Sequence, residues 1–186
     1  MPPRCRALAT SDGLTEFRRP QLLDTTRHVR GDFDSGEESL DDWLRRYSGQ
    51  NRRRNTAATW VIVDEHDVVA AYATLSITGI DRSAAPAKLA KGAPNPVPAL
   101  LLGRLAVDRR HAGLGLGTAL VAHVLATAVE LNQSAACRAV VVTALNEAAR
   151  QWWHRLDFQS FEPTNPDSLD LYLLASDIET TLRTVR

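Results

Sequence analysis

The stretch Leu102-Gly103-Arg104-Leu105-Ala106-Val107-Asp108-Arg109-Arg110-His111-Ala112-Gly113-Leu114-Gly115-Leu116-Gly117-Thr118 decides the fold. Its first part ends an apolar run, residues 99–107, in which Leu100, Leu101, Leu102, Leu105 and Val107 leave no polar alternation. That pattern predicts a central strand covered on both faces. Its second part is glycine-rich and opens a helix over residues 114–132, with Leu116, Leu120, Val124, Ala128 and Leu131 on one face. Glycines at a strand-to-helix junction permit close backbone approach and unusual dihedrals. The first amides of the helix have no internal partner, and its dipole favours an anion there. The junction is a candidate pyrophosphate cradle.

Three ligand-binding motifs compete for these residues, beside a glycine-rich turn that binds nothing. A P-loop needs Lys-Ser/Thr after its last glycine, and Thr118-Ala119 follows Gly117 without a lysine. A dinucleotide loop needs G-x-G-x-x-G, whereas Gly113, Gly115 and Gly117 are spaced two and two. Arg110, Gly113 and Gly115 satisfy the third pattern, Arg-x-x-Gly-x-Gly.

Outward from the loop, residues 36–51 read as a helix with Leu40, Trp43, Leu44 and Tyr47 on one face and Ser35 or Ser39 as N-cap. Residues 57–63 and 68–80 read as a hairpin turning at Asp64-Glu65-His66-Asp67. Residues 81–98 carry Pro86, Pro94, Pro96 and Pro98 and read as a long irregular loop. Residues 139–144 are an apolar strand, residues 146–156 a helix that Asn146 can cap, and residues 159–161 and 169–174 closing strands. This is an α/β order built around a strand–loop–helix–strand unit.

The chain has 186 residues, 44% of them hydrophobic, and equal numbers of basic and acidic side chains, 22 of each. That bounds it to one globular domain with a sizeable core. It has no apolar run of about 20 residues and no signal-like apolar segment after Met1-Pro2-Pro3-Arg4-Cys5-Arg6, so the cytoplasm is the expected location and no membrane association is expected. Two cysteines, Cys5 and Cys137, and five scattered histidines give neither a disulfide framework nor a metal-ligand spacing, and no metal is expected. Half of the basic residues lie in the first 54 positions, ending in Arg52-Arg53-Arg54. Guanidinium donors match phosphate oxygens bidentately, so this arm is a candidate nucleic-acid contact, with a solvated charged face as the alternative.

The Arg110-Gly113-Gly115 loop resembles the acetyl-coenzyme A loop of the GNAT superfamily of N-acetyltransferases, over roughly residues 30–175. The resemblance implies an α/β (α+β) GNAT fold: a mixed central sheet flanked by helices, with a V-shaped splay between the strand ending Leu105-Ala106-Val107 and the strand 139–144. It implies a single domain over residues 1–186 with a core of about 20–175. An N-terminal arm 1–19 and a tail 176–186, a short helix or a frayed end, lie outside that core as flexible or partner-binding segments. It implies that acetyl-coenzyme A, the cosubstrate, is held by Leu105, Ala106, Val107, Arg110, His111, Ala112, Gly113, Leu114, Gly115, Gly117 and Thr118, with Asn146 and Trp153 as further contacts. The backbone amides around Leu105 and Val107 are implied to orient the thioester carbonyl.

Phe33-Asp34-Ser35-Gly36 with Leu40-Asp41-Asp42-Trp43-Leu44, together with Leu102 to Arg110, is similar to one GNAT branch, the toxins of type II toxin–antitoxin modules of the TacT group. That similarity implies acetylation of the α-amino group of aminoacyl-tRNA, inhibition of translation, a ribbon-helix-helix antitoxin as partner, and a homodimer. It implies tRNA contacts at Arg45, Arg46, Arg52, Arg53, Arg54, Lys88 and Lys91, with Arg82 beside them. The family places a tyrosine as general acid in a Tyr-x-x-Phe/Leu-Gly-Phe setting. Trp153 stands at that position and Asp157 replaces the glycine. An indole N–H is a hydrogen-bond donor, not a practical acid. Tyr172, Tyr47 or water are alternatives for the proton. Two other functions remain open: acetylation of a protein or small-molecule amine, and a catalytically inactive module that binds coenzyme A or tRNA.

Overall fold

A computed structural model describes residues 8–10 and 13–184 of the chain. Cys5, part of the N-terminal arm, the last two residues of the tail and the side chain of Arg52 lie outside what is described. The elements in chain order are β1 (Leu8–Thr10), β2 (Gly13–Thr15), β3 (Gln21–Leu22), α1 (Glu38–Asp42), a π-helical turn (Trp43–Tyr47), α2 (Ser48–Arg53), β4 (Ala58–Val63) and β5 (Val69–Ile80). They continue with α3 (Ala87–Ala90), β6 (Val97–Val107), a 3-10 turn (Arg109–His111), α4 (Leu116–Leu131), β7 (Ala139–Thr143), α5 (Glu147–His154), β8 (Gln159–Ser160), β9 (Asp170–Leu174) and α6 (Ile178–Thr184). Strands β1 and β2 pair as a hairpin, and the rest form a mixed sheet in the order β3–β4–β5–β6–β7–β9–β8. Among the described residues no helix is long and apolar enough to cross a membrane.

The chain divides into two compact units, Met1–Leu75 with Arg104–His123, and Ser76–Gly103 with Val124–Arg186. In the first, β4 pairs antiparallel with β3 and with the first half of β5. One core cluster there joins Leu23, Phe33, Trp43, Leu44, Val61, Val63, Val69, Tyr72 and Ala106. Tyr72 is fully buried; its hydroxyl donates to the Leu40 carbonyl at 2.8 Å, and burial pushes its pKa far up. The predicted serine caps are not used. Glu37 is the N-cap and makes no side-chain cap bond, because the Ser35 hydroxyl donates to Asp41 at 2.6 Å. Ser39 lies inside α1.

In the second unit β6 and β7 run parallel, paired over Ala99–Leu101 and Ala139–Val141. The pairing stops there although β6 runs on to Val107. Coverage on both faces holds for Val97, Ala99, Leu100 and Leu102, which are buried, whereas Leu105 and Val107 are half-buried. On α4 the expected apolar face is buried at Leu116, Leu120, Val124 and Ala128, joined by Val121 and Leu125, while Leu131 in the last turn is exposed.

The proline-rich segment is more ordered than its composition suggests. Pro86 sits at the N-cap of α3, where a missing N–H costs nothing, and Leu89 is fully buried in a cluster with Ala93, Val97, Ala99, Ala139, Val141 and Tyr172. Pro98 falls at the start of β6, one of the positions in a strand that tolerates proline. Leu89→Ala should therefore lower the unfolding free energy by about 2–4 kcal/mol in urea denaturation. A change within a few tenths of a kcal/mol would mean that the segment packs as a solvated loop.

Candidate active site

At the end of β6 the chain buries a carboxylate. Asp108 has no exposed surface, and its N–H donates to the Ala70 carbonyl at 2.9 Å. Its Oδ1 accepts from the Arg110 N–H and Nε, both at 2.9 Å. Its Oδ2 accepts from Arg110 Nη2 at 2.6 Å and from the Asp34 N–H at 3.2 Å. Burial alone would push this carboxyl up, but the bonds from Arg110 and Asp34 outweigh it and hold the pKa below the ordinary value. Sequence reasoning gave Asp108 no role, since a single Asp before two arginines carries no signal that it is buried.

This arrangement corrects part of the expected cradle. The Arg110 guanidinium is bound to Asp108 and donates also to the Asp32 carbonyl at 3.2 Å, so its work is to hold the loop. The His111 N–H donates to the Asp108 carbonyl at 2.9 Å and the Ala112 N–H to the Arg109 carbonyl at 3.3 Å, because these residues form a 3-10 turn. Neither amide is free for a phosphate. The N–H groups of Gly113, Leu114 and Gly115 donate to no backbone carbonyl among the described residues. Gly113 and Gly115 have φ of +78° and +77°, and a Cβ at either would meet nothing within 4 Å. Glycine is thus required by backbone rotation, with open space outside it. Leu116, Gly117 and Thr118 form the first turn of α4, where N–H groups lack intrahelical acceptors. Free amides at a sixteen-residue helix's positive end suit a phosphate, so the residues present fit the pyrophosphate of acetyl-coenzyme A.

The Phe33–Gly36 segment braces the loop. The Arg109 N–H donates to the Asp34 carbonyl at 2.8 Å, and the Arg109 guanidinium pairs with the Asp34 carboxylate. The hydrogen bond from Arg109 holds that carboxylate's pKa below the ordinary value. Asp34 Oδ1 also accepts from the Gly36 N–H at 3.0 Å, where φ is +91°. Arg45, expected at tRNA, turns inward: its Nη2 donates to the Phe33 carbonyl at 2.8 Å, and it faces Asp41 and Asp42 at 3.8 and 3.6 Å. Arg46 is two-thirds exposed beside Asp42, and Arg53 and Arg54 are exposed. These three remain available to a phosphate backbone.

The second unit carries the other expected residues. Asn146 caps α5, its Oδ1 accepting from the Ala149 N–H at 2.9 Å, which leaves its side-chain amide N–H free. Lys88 is exposed and reaches Gln159 at 3.5 Å; Lys91 is exposed. In the same proline-rich segment Arg82 donates to the Ala93 carbonyl at 3.3 Å. Tyr172 is buried and donates to Gln159 at 3.3 Å, with burial pushing its pKa up. Tyr47, in the first unit, is half-exposed.

Trp153 is buried and packs as a core side chain, edge-on to Trp152 and to Phe158, with ring centroids 4.8 and 4.9 Å apart. The end of α5 explains it. The Phe158 N–H donates to the Trp153 carbonyl and the Asp157 N–H to the His154 carbonyl, and Asp157 has φ of +65°. This is a Schellman closure, which brings together the side chains flanking it, here Trp153 and Phe158. The same φ accounts for a glycine at that position in the family pattern; aspartate is among the side chains that tolerate it.

These features define a coenzyme A-dependent acyltransferase. Residues 22–158 match the acetyltransferase (GNAT) family, and the chain belongs to that family. It is 38% identical over 145 residues to a tRNA-acetylating toxin of Mycobacterium tuberculosis (strain ATCC 25618 / H37Rv), covering 78% of this chain and 85% of the relative. It is similar in structure to AtaT complexed with acetyl-methionyl-tRNAfMet, with a TM-score of 0.79 and 26% identity over 89% of this chain and 98% of that one. It is also similar to a mutant of KacT, with a TM-score of 0.78 and 26% identity over 88% and 99% of the two chains. AtaTR bound with acetyl-coenzyme A gives a TM-score of 0.74 and 25% identity over 87% and 95%.

Two outcomes check the site's construction. Asp108→Asn should cost about 2–3 kcal/mol of stability, since it leaves Arg110 facing a partial loss of acceptors. The carboxyl titrates lower in the folded chain than its unfolded value of about 3.9, so its contribution is fully present above that value and is lost as pH falls through the folded pKa. Acid unfolding below about pH 4 should accordingly be shallower in Asp108→Asn than in the parent. Asp157→Gly should raise stability by about 0.5–1 kcal/mol by relieving the left-handed backbone; a loss in thermal denaturation would contradict the closure assigned to α5.

Proposed function

We propose that this protein is an acetyl-coenzyme A-dependent toxin that acetylates the α-amino group of aminoacyl-tRNA and thereby blocks translation. The observation that carries the reading is the row of amides at Gly113, Leu114 and Gly115 that donate to no backbone carbonyl among the described residues, just before the N-terminus of α4, in a chain 38% identical to a tRNA-acetylating toxin. The AtaT complex with an acetylated methionyl-tRNA supports the acceptor class. Acetyl-coenzyme A supplies an activated acetyl thioester.

The loop amides and the first turn of α4 bind the nucleotide's phosphates, while Leu105, Ala106 and Val107 offer backbone groups to the pantetheine arm and its thioester. By family resemblance Asn146, through its free side-chain N–H, and Trp153, through its ring, also contact the coenzyme. The acceptor is an α-amine with a pKa near 8, so a useful fraction is neutral at cellular pH and no strong base is required. The thiolate, with a pKa near that of cysteine at about 8.5, is protonated by solvent. Trp153 therefore need not act as an acid, which agrees with its packing against Phe158. Arg46, Arg53 and Arg54 hold the tRNA backbone with little sequence information; Arg52, Lys88 and Lys91 are further tRNA contacts by family resemblance.

The whole chain acts as one acetyltransferase domain, whose core reaches beyond the expected residues 20–175, since Phe17 and Ile178 are buried. A structure of AtaT bound to the C-terminus of the antitoxin AtaR supports control by an antitoxin; by family resemblance that antitoxin is of the ribbon-helix-helix type and the toxin a homodimer in the cytoplasm.

Incubation with radiolabelled acetyl-coenzyme A and total charged tRNA tests this reading. The parent should transfer label to the aminoacyl group. Gly113→Asp, which adds a carboxylate and a strained φ to the cradle, should lose at least about 100-fold, as a like charge set against the pyrophosphate. Trp153→Phe should keep its rate within a few-fold; a collapse to the Gly113→Asp level would restore a catalytic role to the indole. Acetyl-coenzyme A binding without transfer to tRNA would move the acceptor to a protein or small-molecule amine, or make the chain a binding module.

A further inference from the structure

Among the described residues of the unit that contains the glycine loop, one guanidinium is unlike its neighbours. Arg18 pairs with Asp67, Arg46 with Asp42, Arg109 with Asp34 and Arg110 with Asp108, and Arg45 and Arg30 donate to backbone carbonyls. Arg19, Arg53 and Arg54 stand in solvent. Arg104 is half-buried and among the described residues has no hydrogen-bonded or ion-paired partner; its guanidinium carbon lies 4.7 Å over the Trp43 ring, and its charge also acts on the Tyr72 phenol. That indole is itself fixed, stacked on Tyr72 at 5.8 Å with the planes 8° apart. Tyr72 is anchored in turn by its hydroxyl on Leu40.

A half-buried charge with no counter-ion is costly unless something supplies one. A guanidinium held over a rigid indole is also preorganised, because the ring fixes its place and leaves N–H groups to meet an oxyanion. Its position limits which oxyanion. Arg104 directly precedes Leu105, Ala106 and Val107 in β6, so its Cα lies within about 10 Å of all three along the strand. It lies on the strand side of the loop, whereas the phosphate-binding amides begin five residues beyond Asp108, at Gly113.

We propose that Arg104, held on the Trp43–Tyr72 stack, binds the phosphodiester that precedes the terminal adenosine of charged tRNA. This rests on the reading of the protein as an aminoacyl-tRNA acetyltransferase. An acceptor whose α-amine reaches the thioester beside Leu105–Val107 carries its nearest phosphodiester only one ester and one ribose away. Arg104 is the fixed, uncompensated cation of that strand. The contact makes Arg104 a residue that selects a nucleic-acid acceptor over a free amine.

The test measures kcat and KM for charged tRNA, for a 3′-aminoacyl adenosine without a phosphodiester, and for acetyl-coenzyme A, in the parent, Arg104→Gln and Arg104→Lys. The inference expects Arg104→Gln to raise KM for charged tRNA by about tenfold or more, the loss of one charge-assisted contact. KM for the adenosine ester and for acetyl-coenzyme A should stay within about twofold, less than any full hydrogen bond. Arg104→Lys, which keeps the charge and loses the planar fork, should fall between. An equal loss on both acceptors would place Arg104 at the amine or the tetrahedral centre, and a rise in KM for acetyl-coenzyme A would place it on the coenzyme; either overturns the inference alone. A parent that acetylates the adenosine ester but not charged tRNA overturns the functional reading with it. Near-ultraviolet circular dichroism of the variants reports whether the Trp43–Tyr72 stack is intact; a kinetic loss that follows a disrupted stack assigns Arg104 to packing and overturns the inference.

Discussion

The buried carboxylate of Asp108 is the constraint on which the loop depends. One side chain with no exposed surface receives two bonds from the Arg110 guanidinium and two more from the Arg110 and Asp34 amides. Such a group is costly unless every lone pair is used and its charge is met. Meeting that requirement closes the 3-10 turn at Arg109–His111 and pulls the Phe33–Gly36 segment against the strand end. It also consumes the polar groups nearest the strand, so that the first free amides are those of Gly113, Leu114 and Gly115. A phosphate site of this kind works through preorganisation: its donors are already aimed and need no ordering when ligand arrives.

The same economy explains how the arginines divide. The sequence offers a run of them and no means to rank them, and charge alone suggests that all face nucleic acid. Arg45, Arg109 and Arg110 are structural, each bound to a carboxylate or a backbone carbonyl of the segments that brace the loop. Arg46, Arg53 and Arg54 face solvent. Arg104 belongs to neither group, and it was passed over because an arginine within an apolar strand reads as an interruption of the pattern rather than as a site.

Much of the fold was legible because it follows from periodicity: the hairpin of β4 and β5, the apolar β6 and β7, and the buried face of α4 up to Ala128. The Asn146 cap was legible from one residue, since an Asn before a helix has one strongly favoured use. What failed depended on partners distant in sequence. Ser35 was unavailable as a cap because Asp41 binds it, Leu89 organised a segment that four prolines suggested was irregular, and His111 spent its amide on Asp108. Trp153 is intermediate. Its departure from tyrosine was visible, but its pairing with Phe158 across a left-handed Asp157 was visible only in the backbone.

The central claim is that this scaffold delivers acetyl groups to the α-nitrogen of amino acids esterified to tRNA. Mass spectrometry of the 3′-terminal aminoacyl nucleoside, released by nuclease after reaction of the protein with acetyl-coenzyme A and charged tRNA, tests it most directly. The account predicts a terminal aminoacyl adenosine carrying one acetyl group on its α-nitrogen. An unmodified terminus, recovered from a protein shown in the same sample to bind acetyl-coenzyme A, would contradict it.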